Sequence, residues 1–254
     1  MTSTSRSNVE RIPGGEFLVN VGITVLQGRF IGGGTSIGSG GNASGTQFFY
    51  HHSAWMDPRP IRAVLISGNW GTSQYLESSY ISDIRITGNS PLWLSTGYEQ
   101  HGIALRTMGE TAAIGRVYIE QCNGNGVWIN GSGPGYIHHL TTFDNNLAGL
   151  YVTNDKSGAA TGNSLGMLQV THISGDNNAW VILNRSGCAM DIDYIKNEDG
   201  LSATRGRPKK GQVTIEASGW IDITVDHITD AVVGSSGPSF VMHSTANKSR
   251  LTVG

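Results

Sequence analysis

Two aspartates occupy matching places in a strand pattern that recurs near the end of the chain. Asp193 and Tyr194 lie between two apolar residues, and Asp226 and His227 do so in the next occurrence. If the two segments stack as neighbouring strands, the carboxylates lie about one strand spacing, roughly 4.8 Å, apart. That distance is close to the roughly 5–5.5 Å between the carboxylates of a retaining glycosidase. Asp193 and Asp226 are therefore the candidate catalytic pair.

The same residues also suit a surface that binds sugars without cleaving them. Three ring side chains that could stack on sugars are predicted beside the aspartates, namely His172, Tyr194 and His227. Further candidates in a second strand pattern are Trp128, Tyr151 and Trp180, which equally suit packing between subunits or repeats. Catalysis needs in addition a cleft that raises the pKa of the general acid. Binding is therefore preferred to activity as a polysaccharide hydrolase or lyase.

The segments that must position these residues read apolar, polar, polar, apolar. Counted from Ile119 to Leu140, Val170 and Ile192, the pattern recurs in steps of 21, 30 and 22 residues. Such steps are too long for hairpins, and no amphipathic helix lies between the segments. Repeats of this size indicate a solenoid, in which each unit buries its apolar face against the next. The predicted fold is all-β, a right-handed parallel β-helix, because strand twist fixes the hand of crossovers between parallel strands.

The repeat also predicts which way the side chains face. The residues expected to point inward are Ile119, Leu140, Val170, Ile192 and Val225. One outward column is predicted to contain Glu120, Thr141, Thr171, Asp193 and Asp226. The next column is predicted to contain Gln121, Thr142, His172, Tyr194 and His227.

The composition restricts the classes of function. Glycine is about twice as frequent as usual, with 36 residues, and charged residues make up only 14% where about 25% is usual, so small polar residues must build the surface. A net charge of −2 gives a nucleic acid or a membrane surface little to attract. No apolar run is long enough to span a bilayer. We expect a soluble protein made in a cytoplasm, without membrane insertion and without a nucleic-acid partner.

The chain is predicted to form one body with two regions. Residues 1–60 are assigned to an N-terminal arm and cap region, and residues 61–254 to the β-helix. The C-terminal tail would cap the solenoid or contact another subunit. Asparagines fall at the corners between strands, namely Asn123, Asn145, Asn177 and Asn197. They either form a ladder of hydrogen-bonded amides or favour the local turns.

The remaining reactive side chains imply neither a cofactor nor a metal ion. The histidine pairs at residues 51–52 and 138–139 are adjacent in sequence, and adjacent strand residues point to opposite faces, so neither pair is expected to chelate a metal. Cys122 and Cys188 lie in apolar strands and are expected to be buried free thiols. The basic stretch 204–211 resembles an arginine hook for the DNA minor groove. A solvated loop, or a patch facing an anionic neighbour, is the preferred interpretation.

The glycine- and asparagine-rich turn at residues 122–129 resembles those of right-handed parallel β-helices of the pectate-lyase type. In its low charge, its many small polar residues and its lack of a signal peptide, the sequence is similar to bacteriophage tail spikes, which belong to that group. The resemblance covers about residues 64–230 and implies a homotrimer that binds or cleaves a host-surface polysaccharide.

The resemblance leads to three hypotheses of function. The first is a virion protein, a β-helical tail spike or fibre component made in the host cytoplasm. It would bind host glycan or neighbouring virion proteins. The alternatives are a polysaccharide depolymerase on the same fold and a decoration or assembly protein without a ligand.

Overall fold

The computed structural model describes most of the chain as short segments of β-structure. The described residues are 8–19, 22–25, 28–35, 45–50, 61–67, 79–88, 99–109, 111–132, 135–153, 166–186, 188–198, 213–218, 222–230, 240–243 and 250–254. Every regular element within them is a β-strand.

The strands are short at the beginning of the chain and longer in its second half. In chain order they are β1 (Asn8–Arg11), β2 (Gly15–Val19), β3 (Ile23–Val25), β4 (Gly28–Ile31), β5 (Thr46–Tyr50), β6 (Ala63–Ser67), β7 (Tyr80–Ser82), β8 (Ile84–Thr87), β9 (His101–Met108), β10 (Ala113–Glu120), β11 (Val127–Ser132), β12 (Gly135–Phe143), β13 (Ala148–Thr153), β14 (Met167–Asp176), β15 (Trp180–Arg185), β16 (Ala189–Glu198), β17 (Val213–Ser218), β18 (Asp222–Asp230), β19 (Phe240–His243) and β20 (Arg250–Val253).

The strands form two sheets in which neighbouring strands run parallel. The first sheet follows the order β1-β4-β7-β10-β12-β14-β16-β18-β20, with β2, β5 and β8 joined beside this path. The second sheet follows the order β19-β17-β15-β13-β11-β9-β6-β3. From β9 onwards the chain alternates between the sheets, and each strand pairs with the strand two places further along. The prediction of an all-β fold with parallel strands is confirmed, and the topology is compatible with a solenoid.

The first sheet bends along a line that crosses its long strands. β10 pairs with β7 over its first residues and with β8 over its last, and Asp83 separates these two short strands with a φ of 59°. In β16 the bend lies inside one continuous strand. Ile192 and Ile195 are buried there, whereas Asp193 and Tyr194 both lie on the outer side. The apolar, polar, polar, apolar pattern is therefore the sequence signature of this bend.

The same arrangement already begins in the first part of the chain. β1 pairs with β4, and β4 pairs with β7. β2, β5 and β8 form a second parallel series, and β3, β6 and β9 form a third. Five strands thus lie within residues 8–50, the region assigned from the sequence to an arm and cap.

Rows of buried apolar side chains fill the space between the two sheets. All five residues that were predicted to face inward are buried, namely Ile119, Leu140, Val170, Ile192 and Val225. The inward prediction is confirmed. Both cysteines, Cys122 and Cys188, are buried and free, as predicted. Burial in this core raises the pKa of the Cys122 thiol.

The predicted register was wrong in the first two repeats. Ile137, not Leu140, pairs with Val170 of the next strand. The cause is an ambiguity in the pattern, because apolar, polar, polar, apolar occurs in β12 both at residues 137–140 and at residues 140–143. A shift of three residues leaves the pattern intact, so only pairing along the whole strand distinguishes the two registers.

Both predicted outward columns change as a result. Four residues do not belong to them, namely Glu120, Thr141, Gln121 and Thr142. The structure instead places His138 in the column of Asp193, and it places Arg116 and His139 in line with His172.

Where the long strands of the first sheet end, three stacked residues adopt a left-handed backbone. Gln121, Asp144 and Asn177 have φ values of 58°, 56° and 54° and occupy the same place in successive repeats. The backbone N–H of Gln121 donates to the carbonyl of Phe143 at 3.0 Å, and that of Asp144 donates to Asp176 at 2.8 Å. Aspartate and asparagine, which occupy two of these three positions, reach this conformation more easily than most residues. The corner thus turns without interrupting the hydrogen bonds between repeats.

Asparagine side chains join the repeats immediately after this corner. The buried Asn145 accepts a hydrogen bond from the backbone N–H of Cys122 at 3.0 Å, and its Nδ2 donates to Oδ1 of the buried Asn178, also at 3.0 Å. A second amide pair lies nearer the surface, where Nδ2 of Asn146 donates to Oδ1 of Asn123 at 3.2 Å. Asparagines therefore form part of a ladder between repeats.

The other two predicted corner asparagines have different roles. Asn177 supplies the left-handed residue of the turn, and its neighbour Asn178 takes the place in the ladder. Asn197 is buried and donates from Nδ2 to Oγ1 of Thr214 at 2.8 Å. Both explanations offered by the sequence, a ladder of amides and a preference for local turns, therefore apply, each to different asparagines.

We expect replacement of Asn145 by leucine to lower the free energy of unfolding by roughly 2–4 kcal/mol. The variant leaves the buried N–H of Cys122 without its acceptor, which costs about 1–3 kcal/mol. It also removes the side-chain bond to Oδ1 of Asn178, which still accepts from the backbone N–H of residue 145; a lost bond of this kind costs about 1 kcal/mol. Urea unfolding measures the change. Asn146→Leu is the matched control, with an expected loss below about 1.5 kcal/mol, since its amide pair is only partly buried. Equal losses in the two variants would contradict the role of the buried ladder.

Candidate functional site

Four rings stack on the outer surface along the bend of the first sheet. They are His139 on β12, His172 on β14, Tyr194 on β16 and His227 on β18. Successive ring centroids are 4.2, 4.7 and 5.2 Å apart, with interplanar angles of 4°, 22° and 17°. We term this set the ring stack. The structure brings together the predicted His172, Tyr194 and His227 and adds His139, which the sequence analysis missed.

The ring stack follows directly from the strand pairing. Each ring is the second outward residue of the bend, and neighbouring strands lie about 4.8 Å apart, which is close to the stacking distance of aromatic rings. Stacked rings cover one another's faces and leave their edges towards the solvent. A ligand therefore meets imidazole nitrogens and a phenol hydroxyl, rather than the ring faces on which the sequence analysis had placed the sugars.

The two predicted catalytic aspartates lie beside the ring stack. Ile192 pairs with Val225 and Tyr194 with His227, so Asp193 of β16 lies next to Asp226 of β18. Both aspartates are exposed. The neighbouring positions of this column are occupied by the exposed His138 and Thr171.

The other end of the ring stack is basic. Arg116 of β10 pairs in register with His139 and is exposed. Its Nε and Nη2 atoms donate to Oδ1 of Asp83 at 3.0 and 2.6 Å. Partial burial lowers the pKa of His139, and the charge of Arg116 lowers it further. Partial burial likewise lowers the pKa of His172, with smaller contributions from His139 and the positive charge of Lys196.

The adjacent histidines 138 and 139 correct one sequence-based expectation. They were expected on opposite faces, yet both are exposed, because the strand bends between the buried Ile137 and Leu140. The signal was present in the sequence, since Ile-His-His-Leu fits the repeated pattern. Among the described residues, no group of three or more His, Cys, Asp or Glu side chains could hold a metal ion. Residues 51–52 and 204–211 lie outside the described part of the chain.

The predicted aromatic candidates of the second sheet separate into a pair and a single residue. Trp128 and Tyr151 are in register, with ring centroids 6.3 Å apart. Trp180 pairs with Ala148 instead, so it does not extend their row. Nε1 of Trp128 donates to Oγ1 of Thr153 at 2.8 Å.

These tryptophans also have structural contacts of their own. Trp128 packs against a small buried cluster formed by Ala63, Ile66 and Ala104, which is separate from the main core. Nε1 of Trp180 donates to Oε2 of Glu216 at 2.7 Å. Packing between repeats, one of the two roles that the sequence left open, accounts for these contacts.

Glu120 lies in a polar cluster at the end of β10, on the far side of the bend in the first sheet. Its Oε1 is 2.6 Å from Nη2 of Arg85 and accepts a hydrogen bond from Oγ1 of Thr87 at 2.8 Å. The guanidinium of Arg85 lies 4.3 Å from the ring centroid of Tyr118. Burial raises the pKa of Tyr118, and the charge of Glu120 contributes to the rise. This cluster joins β8 and β10 through a largely buried ion pair and is remote in register from Asp193.

His101 is a buried histidine behind the Trp128 and Tyr151 pair. Its ring centroid lies 5.0 Å from that of Trp128. Nδ1 of His101 accepts a hydrogen bond from the backbone N–H of Asn125 at 3.1 Å, so the neutral ring carries its proton on Nε2. Burial lowers the pKa of His101 to about 4.

We expect His101 to make the protein less stable in acid. The unfolded chain binds this proton near the ordinary pKa of about 6.5, whereas the folded protein binds it only near 4. Neutral His101 therefore contributes fully to the free energy of unfolding above about pH 6.5. This contribution, about 3 kcal/mol in all, is lost as the pH falls towards 4. Urea unfolding across this range measures the loss.

His101→Asn provides the comparison, since asparagine keeps an acceptor for the Asn125 N–H and does not titrate. The free energy of unfolding of the variant should decrease much less between pH 7 and pH 4 than that of the unmodified protein. The remaining decrease comes from the smaller contributions of His139 and His172, whose pKa values are also lowered. An unchanged pH dependence in His101→Asn would show that another group is responsible.

Comparison with known proteins gives no match. No protein-family model matches the chain, and no curated protein or solved structure matches it. Among the described residues, no helix has the length and apolar character required to cross a membrane.

Proposed function

We propose that the chain is a right-handed parallel β-helix that binds an extended glycan along its ring stack. The alternation of the chain between two parallel sheets supports the coiled path. The right hand follows from the general twist of strands, which makes crossovers between parallel strands right-handed in nearly all proteins.

The ring stack is the observation that carries the proposal. It presents hydrogen-bonding edges from four successive strands, His139 to His227, at intervals of about 4.8 Å. A linear polysaccharide likewise presents hydroxyl groups at regular intervals along its length. The rings hold each other in place, so little side-chain freedom is lost when a ligand binds.

The exposed aspartates favour binding over cleavage. Asp193 and Asp226 can accept hydrogen bonds from sugar hydroxyls. A general acid must instead be kept protonated near neutral pH, which requires a shielded environment, and both carboxylates are exposed. A depolymerase is the second candidate, because the two carboxylates lie on neighbouring strands in register.

The proposed biological setting is a bacteriophage virion, as a tail spike or fibre component. It is supported by the resemblance of the turn at residues 122–129 to β-helices of the pectate-lyase type, together with the low content of charged residues. In that setting the protein is a homotrimer, is attached to other virion proteins and meets a polysaccharide of the host surface. A decoration protein without a ligand would share the fold, and its ring stack would only pack neighbouring repeats against each other.

We expect the protein to retain at least one polysaccharide on an array of bacterial capsules and O-antigens. Tyr194→Ala should weaken retention at least tenfold, because it interrupts the ring stack between His172 and His227. Tyr194→Phe keeps the ring in the stack but removes its hydroxyl, which donates to Oγ1 of Thr229, and should weaken retention less than Tyr194→Ala does. Tyr151→Ala tests the pair on the second sheet and should leave retention unchanged.

The same array separates the three hypotheses of function. Retention without new reducing ends supports a binding protein. Release of reducing ends would establish the depolymerase, and Asp193→Asn or Asp226→Asn would then abolish release while binding persists. Retention of no polysaccharide would leave the ring stack without its proposed ligand and would overturn the proposal.

We expect multi-angle light scattering to give a mass of three times 27.0 kDa, the mass of the chain. The family that the sequence resembles assembles as trimers, and a narrow solenoid gains stability when its sides are covered. A stable species of 27.0 kDa at micromolar concentration would rule out the homotrimer.

A further inference from the structure

The charges along the ring stack are distributed unevenly. Basic side chains lie on three successive strands, namely Arg116 on β10, His138 and His139 on β12, and His172 on β14. Acidic side chains lie beyond them, Asp193 on β16 and Asp226 on β18, together with His227 and the ion pair of Lys196 with Glu198. We propose that Arg116, His139 and His172 form a subsite for an anionic group of the glycan, a carboxylate or a phosphate, whose binding is accompanied by uptake of a proton. The inference rests on the proposed glycan binding along the ring stack.

Arg116 is held in a fixed orientation at the start of this subsite. Both of its bonds to Asp83 go to Oδ1, through Nε at 3.0 Å and Nη2 at 2.6 Å. The Nη1 group donates to no described residue. Arg116 is exposed and lies in register with His139. One side of the guanidinium is therefore anchored to Asp83, and the other can donate to a ligand oxygen at the end of the stack.

Charging both histidines at once is unfavourable without a nearby anion. Their ring centroids are 4.2 Å apart and their planes are nearly parallel, at 4°. Two imidazolium ions at this distance repel each other. Arg116, whose charge is partly offset by Asp83, adds further positive charge beside His139. An anionic group lying across the ring edges removes this penalty and stabilises the protonated form. Binding of an anion and uptake of a proton therefore favour each other.

The other charged groups around the two rings set the direction of the effect. The groups that flank them on neighbouring strands are Asp83, Arg116, His138, Asp193, Tyr194, Lys196, Asp226 and His227. Lys196 lies 2.6 Å from Glu198, which offsets its charge. Burial and the nearby positive charges lower the pKa values of both His139 and His172, which favours the neutral rings in the free protein. Asp193 and Asp226 repel an anion, so the subsite lies at the Arg116 end.

The test compares two oligosaccharides of the same linkage and length, one of glucuronic acid and one of glucose. Calorimetry is done at about pH 5.5 and about pH 8, on either side of the ordinary histidine pKa of about 6.5. We expect the acidic oligosaccharide to bind at least tenfold more tightly at the lower pH, and more tightly there than the neutral one. Repetition in buffers of different ionisation enthalpy should show proton uptake with the acidic oligosaccharide only.

Variants of the basic residues locate the effect. His139→Gln and His172→Gln should abolish both the pH dependence and the proton uptake. Arg116→Gln should weaken binding of the acidic oligosaccharide at both pH values, and Arg116→Lys should restore part of it. The matched control is Arg250→Gln, because Arg250 is also exposed and forms a similar two-bonded pair with Asp222 away from the stack. This control should bind like the unmodified protein.

The outcomes distinguish this inference from the proposed function. Equal binding of the two oligosaccharides at both pH values overturns the anionic subsite and leaves glycan binding intact. Binding of neither oligosaccharide also overturns the subsite, and retention on the polysaccharide array then decides the proposed function separately. A pH effect that survives in both His139→Gln and His172→Gln overturns the assignment to these rings.

Discussion

The parallel hydrogen bonding between equivalent strands of successive repeats is the constraint on which the rest of the structure depends. It sets a spacing of about 4.8 Å between equivalent residues, whatever those residues are. A buried apolar position becomes a row of core residues, a corner asparagine becomes part of an amide ladder, and an outward ring becomes a stack. The left-handed residues Gln121, Asp144 and Asn177 preserve this register at the corner, although the segments between repeats differ in length.

Much of the fold was predictable because the core imposes a pattern on the sequence. Ile192 and Val225 could be aligned from the sequence, since the apolar, polar, polar, apolar pattern occurs there without a competing shift. The same pattern fits β12 in two places, so Leu140 was aligned where Ile137 belongs. Local pattern therefore predicts which residues are buried, whereas register is a property of the whole strand and its neighbours.

The site was predictable to the extent that its residues lie in correctly aligned repeats. His172, Tyr194 and His227 were grouped correctly for this reason. Arg116 and His139 were missed because of the shifted alignment, and the alternation rule for straight strands failed at the bend, where two successive side chains face outward. The stacking of the rings, and with it the exposure of edges rather than faces, depends on side-chain conformation that no sequence pattern specifies.

A column on a parallel sheet brings like groups to the same short distance, so proximity alone is weak support for a function. Asp193 and Asp226 would be neighbours on any such sheet that carried an aspartate at this place in both repeats. Differences along a column are more informative, because strand pairing does not require them. The two adjacent outward columns show such a difference, because together they change from Arg116, His138 and His139 at one end to Asp193 and Asp226 at the other. The two ends of the ring stack therefore differ in charge, and a polymer with charged groups would bind more favourably in one orientation than in the reverse one.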